Sequence, residues 1–327
     1  MKDIGLAGLP ASGKSSLFTA LTHTGAAGGR AHQAVVPISD PRLSVLAEME
    51  GSARIVPAQV RFVDTPGGLS TQAIATLRQM DALAIVLAAF HSAADPVADA
   101  ATVRSELLLA DLTNVESSLE RAGRKAKSRD QEAVDDLDRL SRARALLEED
   151  RPLREGDWTE DDRKAMRGHG FLTMKPWITV ANLEEGTSLP DGLPEGTVPV
   201  YAAIEAEVAA MDPDEGAELL REFGVEEPGL DRMVRASYRA LDLITFLTTG
   251  EDETRAWQVR RGARAPEAAG VIHTDLERGF IRAEVVSYDD LVAAGSHKAA
   301  KEQGLVRTEG KDYEVREGDV LNVLFAV

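Results

Sequence analysis

The sequence predicts an α/β fold: a mostly parallel sheet flanked by helices, interrupted by an inserted antiparallel helical arm and followed by a small mixed-sheet domain. Three observations carry this. Short apolar segments at Asp3–Ala7, Val60–Val63, Ala82–Ala88 and Trp177–Ala181 have the length and bounding turn residues of buried parallel strands. Between the third and the fourth, Val103–Ala122 and Ala133–Leu147 are charged stretches with apolar residues at helical spacing. From about Ile244 the pattern changes to alternation: Ile281, Ala283 and Val285 are interleaved with Arg282, Glu284 and Val286, and a turn at Glu317-Gly318-Asp319 leads into Val320–Phe325.

The first strand turns through Gly8, Pro10 and Gly13 into the helical run Ser15–Leu21. The turn Gly8-Leu9-Pro10-Ala11-Ser12-Gly13-Lys14-Ser15 fits G-x-x-x-x-G-K-[ST], whose glycines let successive backbone N–H groups turn inward around phosphate oxygens. Lys14 is expected to reach the β- and γ-phosphates, the Ser15 hydroxyl to ligate Mg²⁺, and the helix to direct its positive N-terminal end at the anion. Gly8, Ala11, Ser12, Gly13, Lys14, Ser15 and Ser16 are therefore the phosphate-binding candidates of a P-loop NTPase domain. The second strand delivers Asp64, followed by Thr65-Pro66-Gly67. Asp64 is placed to hold Mg²⁺ through water, and Gly67 to donate its N–H to the γ-phosphate and act as a hinge, although Asp-Thr-Pro-Gly also reads as an ordinary turn.

In the arm, Leu108, Leu112, Val115 and Leu119 follow steps of four, three and four, and Leu137, Leu140 and Ala143 or Arg144 begin a second, weaker seam. Arg121, Arg124, Lys125, Lys127 and Arg129 lie near its tip and form the one dense basic cluster of the sequence. A solvated helical face and a local RNA contact are both open readings. Asp157–Met174 returns the chain to the sheet. The fourth strand ends in Asn182-Leu183-Glu184-Glu185, at the edge where open α/β sheets bind ligands. GTPases carry Asn-Lys-x-Asp there. With Leu183 for Lys and the longer Glu185 for Asp, a clean guanine preference is not encoded, and a loop without a ligand role is the other reading.

The length of 327 residues suits two or three domains, and 43% hydrophobic residues suffice for packed cores. With no cysteine there can be no disulfide, thiolate metal site or cysteine nucleophile. A formal net charge of −18 repels nucleic acid in general, so any RNA contact must be local. No apolar run reaches the roughly 18 residues of a membrane span, and the N-terminus lacks signal-peptide character, so a cytoplasmic protein is expected.

Over nearly its whole length the chain resembles the Obg-like ATPase family, also called YchF. Gly8–Ser16 resembles that family's GLPNVGKST, Val36–Leu43 its VPVPDPRL, and Ser105–Leu112 its TELxLADL. The tail, from Arg255-Ala256-Trp257 through Ala265–Asp275 to Glu309–Tyr313, is similar to the family's C-terminal TGS domain. The resemblance implies a P-loop domain over 1–102 and 175–243, a coiled-coil arm over 103–174, and a ubiquitin-like β-grasp (TGS) domain over 244–327. It also implies ATP before GTP through an Asn-x-x-Glu motif, with Asn182 and Glu185 at those positions and the backbone of Leu183 reading adenine. Family members are linked to ribosomes and translation, so ribosome or rRNA contact through the basic cluster is the implied partner interaction. His91 is read as a plain loop histidine; the resemblance offers as the alternative a histidine that orients water in relatives, from which the shorter spacing to Asp95-Pro96 departs.

Three departures stand out. Gly25–Ala34, where the first switch belongs, contains no Thr to complete a Mg²⁺ shell. The second switch is short, since Gly68-Leu69-Ser70-Thr71 runs almost directly into the helical Gln72–Met80. Gly68 offers no side chain where the family has a hydrophobic residue. The expected function is a slow Mg²⁺-dependent ATPase regulating translation; the alternatives are a nucleotide sensor without significant hydrolysis and a GTP-binding protein.

Overall fold

A computed structural model describes residues 1–22, 32–65, 67–126, 131–209 and 211–326. The first-switch residues 25–31, Pro66 and the arm-tip residues Lys127 and Arg129 lie outside them. In chain order the strands are β1 Lys2–Ala7, β2 His32–Pro37, β3 Ile55–Val56, β4 Gln59–Asp64, β5 Ala82–Ala89 and β6 Trp177–Leu183. They continue as β7 Val198–Val200, β8 Leu243–Thr248, β9 Thr254–Arg260, β10 Phe280–Ser287, β11 Arg307–Glu309 and β12 Asp319–Phe325. The helices begin with α1 Lys14–Thr22, α2 Pro41–Glu50, α3 Thr71–Leu77, α4 Pro96–Ala126, α5 Gln131–Glu148, α6 Glu160–Met166 and α7 Ala202–Val208. They continue as α8 Pro213–Glu222, α9 Gly229–Ala240, α10 Ala265–Ile272, α11 Thr274–Arg278, α12 Tyr288–Ala294 and α13 His297–Glu302.

Two compact units form, one from residues 2–34 and 61–237, the other from residues 1, 35–60 and 238–327. The sheet of the first unit has the order β2-β4-β1-β5-β6-β7, and the pairs β1/β5, β5/β6 and β6/β7 are parallel. Seven of the eight residues of β5 are buried, as expected of a central parallel strand covered on both faces. On one face Val63, Leu83, Ile85 and Leu87 pack with Val103, Leu107 and Leu172.

The arm is a longer element than the charged stretch suggests. α4 starts at Pro96, and its early residues Val103 and Leu107 belong to the sheet core, while Leu108, Val115 and Ala122 pack with Leu140, Ala143 and Leu147 of α5. The pair runs antiparallel, with Arg104 bonded to Asp150 at its base. One helix thus serves sheet and arm. The TELxLADL-like segment gains a physical meaning here: Asp111 is fully buried and accepts bonds from Arg78 (2.9 Å), Leu172 N (3.0 Å), and Thr173 N and Oγ1 (2.7 and 2.8 Å).

The second unit holds a sheet of order β11-β10-β12-β8-β9-β3. Residues 35–60 group here rather than with residues 1–34, because Leu43, Leu46 and Ala58 pack on Leu247, Ala256, Val286, Leu291 and Val320. The VPVPDPRL-like segment explains how. Asp40 caps α2 by accepting from Arg42 N at 3.1 Å, Pro41 opens the helix, and Arg42 bridges Asp40 and Glu317 at 2.8 and 2.7 Å. In β10 the strict alternation of Ile281, Ala283 and Val285 fails at its first member. A register shift between Phe280 and Arg282 turns Phe280 inward and leaves Ile281 55% exposed, while Ala283 and Val285 stay buried.

Candidate nucleotide site

The sheet brings the sequence motifs to one edge. β4, β1, β5 and β6 are neighbours, and Asp64, the Gly8–Ser15 turn, Phe90 and Asn182 stand at or just past their C-terminal ends. The turn is tight where the motif requires it. Gly13 has φ 82°, and a Cβ there would lie 2.2 Å from the Asn182 amide nitrogen, so no side chain fits. Ala11, also left-handed at φ 64°, lacks that excuse.

Lys14 is buried, and its ammonium donates to the carbonyls of Gly8 (3.0 Å) and Leu9 (2.9 Å), with Ser12 Oγ at 3.5 Å. Burial lowers its pKa from the ordinary 10.5, and the charge of Asp64 opposes that shift. The exposed Ser15 donates its hydroxyl to Asp64 Oδ2 at 3.1 Å. The other oxygen, Asp64 Oδ1, is buried without any hydrogen-bond partner. A desolvated carboxylate oxygen left unpaired is costly, and a divalent cation or its water would satisfy it. The donor set of Ser15 and Asp64 therefore fits a Mg²⁺ ion, which these two residues would hold. Ser16 is exposed at the start of α1.

At the C-terminal end of β6, the Asn182 amide is clamped: Oδ1 accepts from Ala202 N at 3.2 Å, and Nδ2 stands over Gly13. Glu185 Oε1 accepts from Ile204 N at 3.2 Å, so both residues brace the start of α7. Leu183 is buried. Behind them Glu205 accepts from Tyr201 N and Gly229 N at 2.9 and 2.6 Å, and desolvation raises its pKa.

Near the second switch, Gly67 has φ 87°, and Gly68, at φ 68°, lies so close to Pro10 that a Cβ would be 3.1 Å from its ring. A side chain at Gly68 would meet both the left-handed backbone and a tight contact with Pro10. His91 is exposed, its ring edge-on to Phe90 at 5.1 Å; no hydrogen bond or ion pair joins its side chain to Lys14, Ser15 or Asp64. Phe90, which belongs to none of the sequence motifs, has its ring edge 3.5 Å from the Cβ position of Gly13. The available signal was an aromatic closing the apolar run Ala82–Ala89. Of the basic cluster, Arg121, Arg124 and Lys125 line a groove of about 860 Å³ with Arg78, Arg139 and the acidic Glu132 and Asp136.

A curated relative from Haemophilus ducreyi, "Ribosome-binding ATPase YchF", is 40% identical over 99% of both chains. The chain belongs to the YchF family. The Bacillus subtilis YchF is 37% identical over 99% of each chain. The solved structure of the Schizosaccharomyces pombe YchF GTPase superposes with TM-score 0.84 at 28% identity, covering 99% of this chain and 97% of that one. A YchF C-terminal family model, described as a protein of unknown function, matches residues 243–326, and one described as "50S ribosome-binding GTPase" matches residues 3–129. The alignment with the H. ducreyi YchF spans 358 positions against 327 residues here, so that relative carries segments this YchF chain lacks. Among the described residues, no helix is long and apolar enough to cross a membrane.

Proposed function

We propose that this YchF chain is a cytoplasmic ATP-binding protein and a slow Mg²⁺-dependent ATPase that regulates translation on the ribosome. The observation that carries it is the pairing of Ser15 with Asp64, one buried oxygen of which is unpartnered, beside a lysine held inside the P-loop turn. Lys14 exchanges the carbonyls of Gly8 and Leu9 for phosphate oxygens, and the N–H groups of Ala11 through Ser16 receive the rest of the charge. Ser15 and Asp64 would hold Mg²⁺, which when bound would supply neutralisation of the charge on the transferred phosphoryl group. Gly67 donates its N–H there and reports occupancy to the following α3.

The names of relatives divide between ATPase and GTPase, so the choice of nucleotide stands on residues. Leu183 and Glu185 replace the Lys and Asp that read guanine, which supports ATP. Replacing Glu185 by Ala is expected to reduce the preference for ATP over GTP severalfold, measured by competition, while phosphate affinity stays. An unchanged preference would remove Glu185 from the base site. The arm over 103–174 and the TGS domain over 244–327 belong to this reading as the ribosome-facing parts, with Arg121, Arg124, Lys125, Lys127 and Arg129 as the rRNA contact. A second reading, a sensor that binds without turnover, is favoured by Gly68, which offers no side chain at that position to orient water.

Single-turnover hydrolysis of ATP and GTP with Mg²⁺, using Lys14→Ala as the blank, tests it. ATP cleavage above the blank supports the ATPase. Binding without cleavage supports the sensor, and faster GTP cleavage would overturn the nucleotide assignment.

A further inference from the structure

A second cavity lies away from the phosphate turn, under the first turns of α4. It measures about 410 Å³, within the range of small-ligand sites, and is walled by Ile85 of β5, Trp177 and Thr179 of β6, Val97, Ala100, Ala101 and Val103 of α4, and the loop Gly192–Glu195. Two guanidinium groups reach it. Arg104 is committed to Asp150. Arg154 is not: its guanidinium stacks on the Trp177 ring at 3.9 Å, its Nη1 is buried with no hydrogen-bond partner, and no carboxylate among the described residues pairs with it. Trp177 is itself fixed, donating from Nε1 to Leu172 O at 3.0 Å.

An arginine with buried, unpaired donors is costly, because its N–H groups have lost water and gained nothing. Burial lowers the Arg154 pKa, the charge of Glu155 opposes that shift, and Arg104 adds to it. Beyond the guanidinium the walls are mostly apolar. We propose that this cavity is a binding site for a small monocarboxylate on an apolar body, its carboxylate accepting from Arg154 and its body lying against Val97, Ala100, Ala101 and the Trp177 face. The planar fork of arginine matches a carboxylate in two parallel bonds. A phosphate dianion is disfavoured by the single uncommitted cation and by Glu155 and Glu195 nearby.

The test uses hexanoate, hexylamine and hexyl phosphate as probes on the full chain. Binding is read from the indole N–H signal of Trp177, assigned with Trp177→Phe against Trp158 and Trp257. Hexanoate is expected to shift that signal saturably, and hexylamine to leave it unmoved. Arg154→Met is expected to weaken hexanoate at least about tenfold, the 1.4 kcal/mol equivalent of a lost charge-assisted pair, without lowering the melting temperature. Val97→Trp, at a partly exposed position on the cavity wall, is expected to block the site in a chain whose Arg154 is intact. Tighter binding of hexyl phosphate than of hexanoate, or hexanoate binding that survives Arg154→Met, would overturn the proposal. So would binding that appears only in Glu195→Gln, since Glu195 would then be the natural occupant.

Discussion

At the scale of residues, the phosphate turn holds one evident strain. Ala11 sits in the left-handed region at φ 64°, where an L side chain other than Asn, Asp or Gly loses about 1–2 kcal/mol. The related motif GLPNVGKST has Asn at this position. Ala11→Asn is expected to stabilise the nucleotide-free protein by about 0.5–1 kcal/mol, seen as a rise in melting temperature. An unchanged midpoint would mean that the turn relaxes in solution. Lys14, Ser15 and Gly13 were legible in the sequence because their chemistry is local: consecutive backbone donors need this spacing. The approach of Gly68 to Pro10 was not, since it joins two turns almost sixty positions apart.

At the scale of elements, two buried or bridged carboxylates hold the arm to its base. Asp111→Ala removes four acceptor contacts and leaves Arg78 without its carboxylate, which is expected to cost about 3–5 kcal/mol, measured by denaturant unfolding. Asp162 closes the capping box of α6 while accepting from Arg139 at 2.9 Å and Arg142 at 3.0 Å, and these bonds, Arg142 first, lower its pKa from 3.8 to about 2. A carboxylate with a depressed native pKa stabilises the fold above its unfolded value. That contribution is lost as pH falls from 3.8 through about 2. Melting of the wild type is therefore expected to fall more steeply across that window than melting of Asp162→Asn; parallel curves would show that the bridge adds nothing. The helical seams were readable from Leu108, Val115 and Leu140. The start of α4 at Pro96 was not, because its first turns pack on the sheet and not on α5.

At the scale of the whole molecule, each unit draws on segments distant in sequence. Residues 238–327 alone would leave Leu247, Val286, Leu291 and Val320 without Leu43, Leu46 and Ala58, and β9 without β3. Burying a leucine contributes about 1.5–3 kcal/mol, so this fragment is expected to be poorly folded. A chain in which residues 35–60 are linked to 238–327 is expected to unfold cooperatively. Equal stability of the two by thermal unfolding would show that α2 is dispensable.

The sequence by itself determined the parallel α/β layout, the phosphate turn, the two-helix arm and the change of texture near Ile244, because each is written in local periodicity or in residues adjacent along the chain. The tertiary structure alone decided the rest. It assigned residues 35–60 to the second unit, turned Phe280 inward in place of Ile281, clamped Asn182 between Gly13 and Ala202, and left Asp64 Oδ1 and Arg154 Nη1 without hydrogen-bond partners. Each of these depends on which distant groups share a buried volume and which polar atoms remain unsatisfied there, and no window of sequence contains that information.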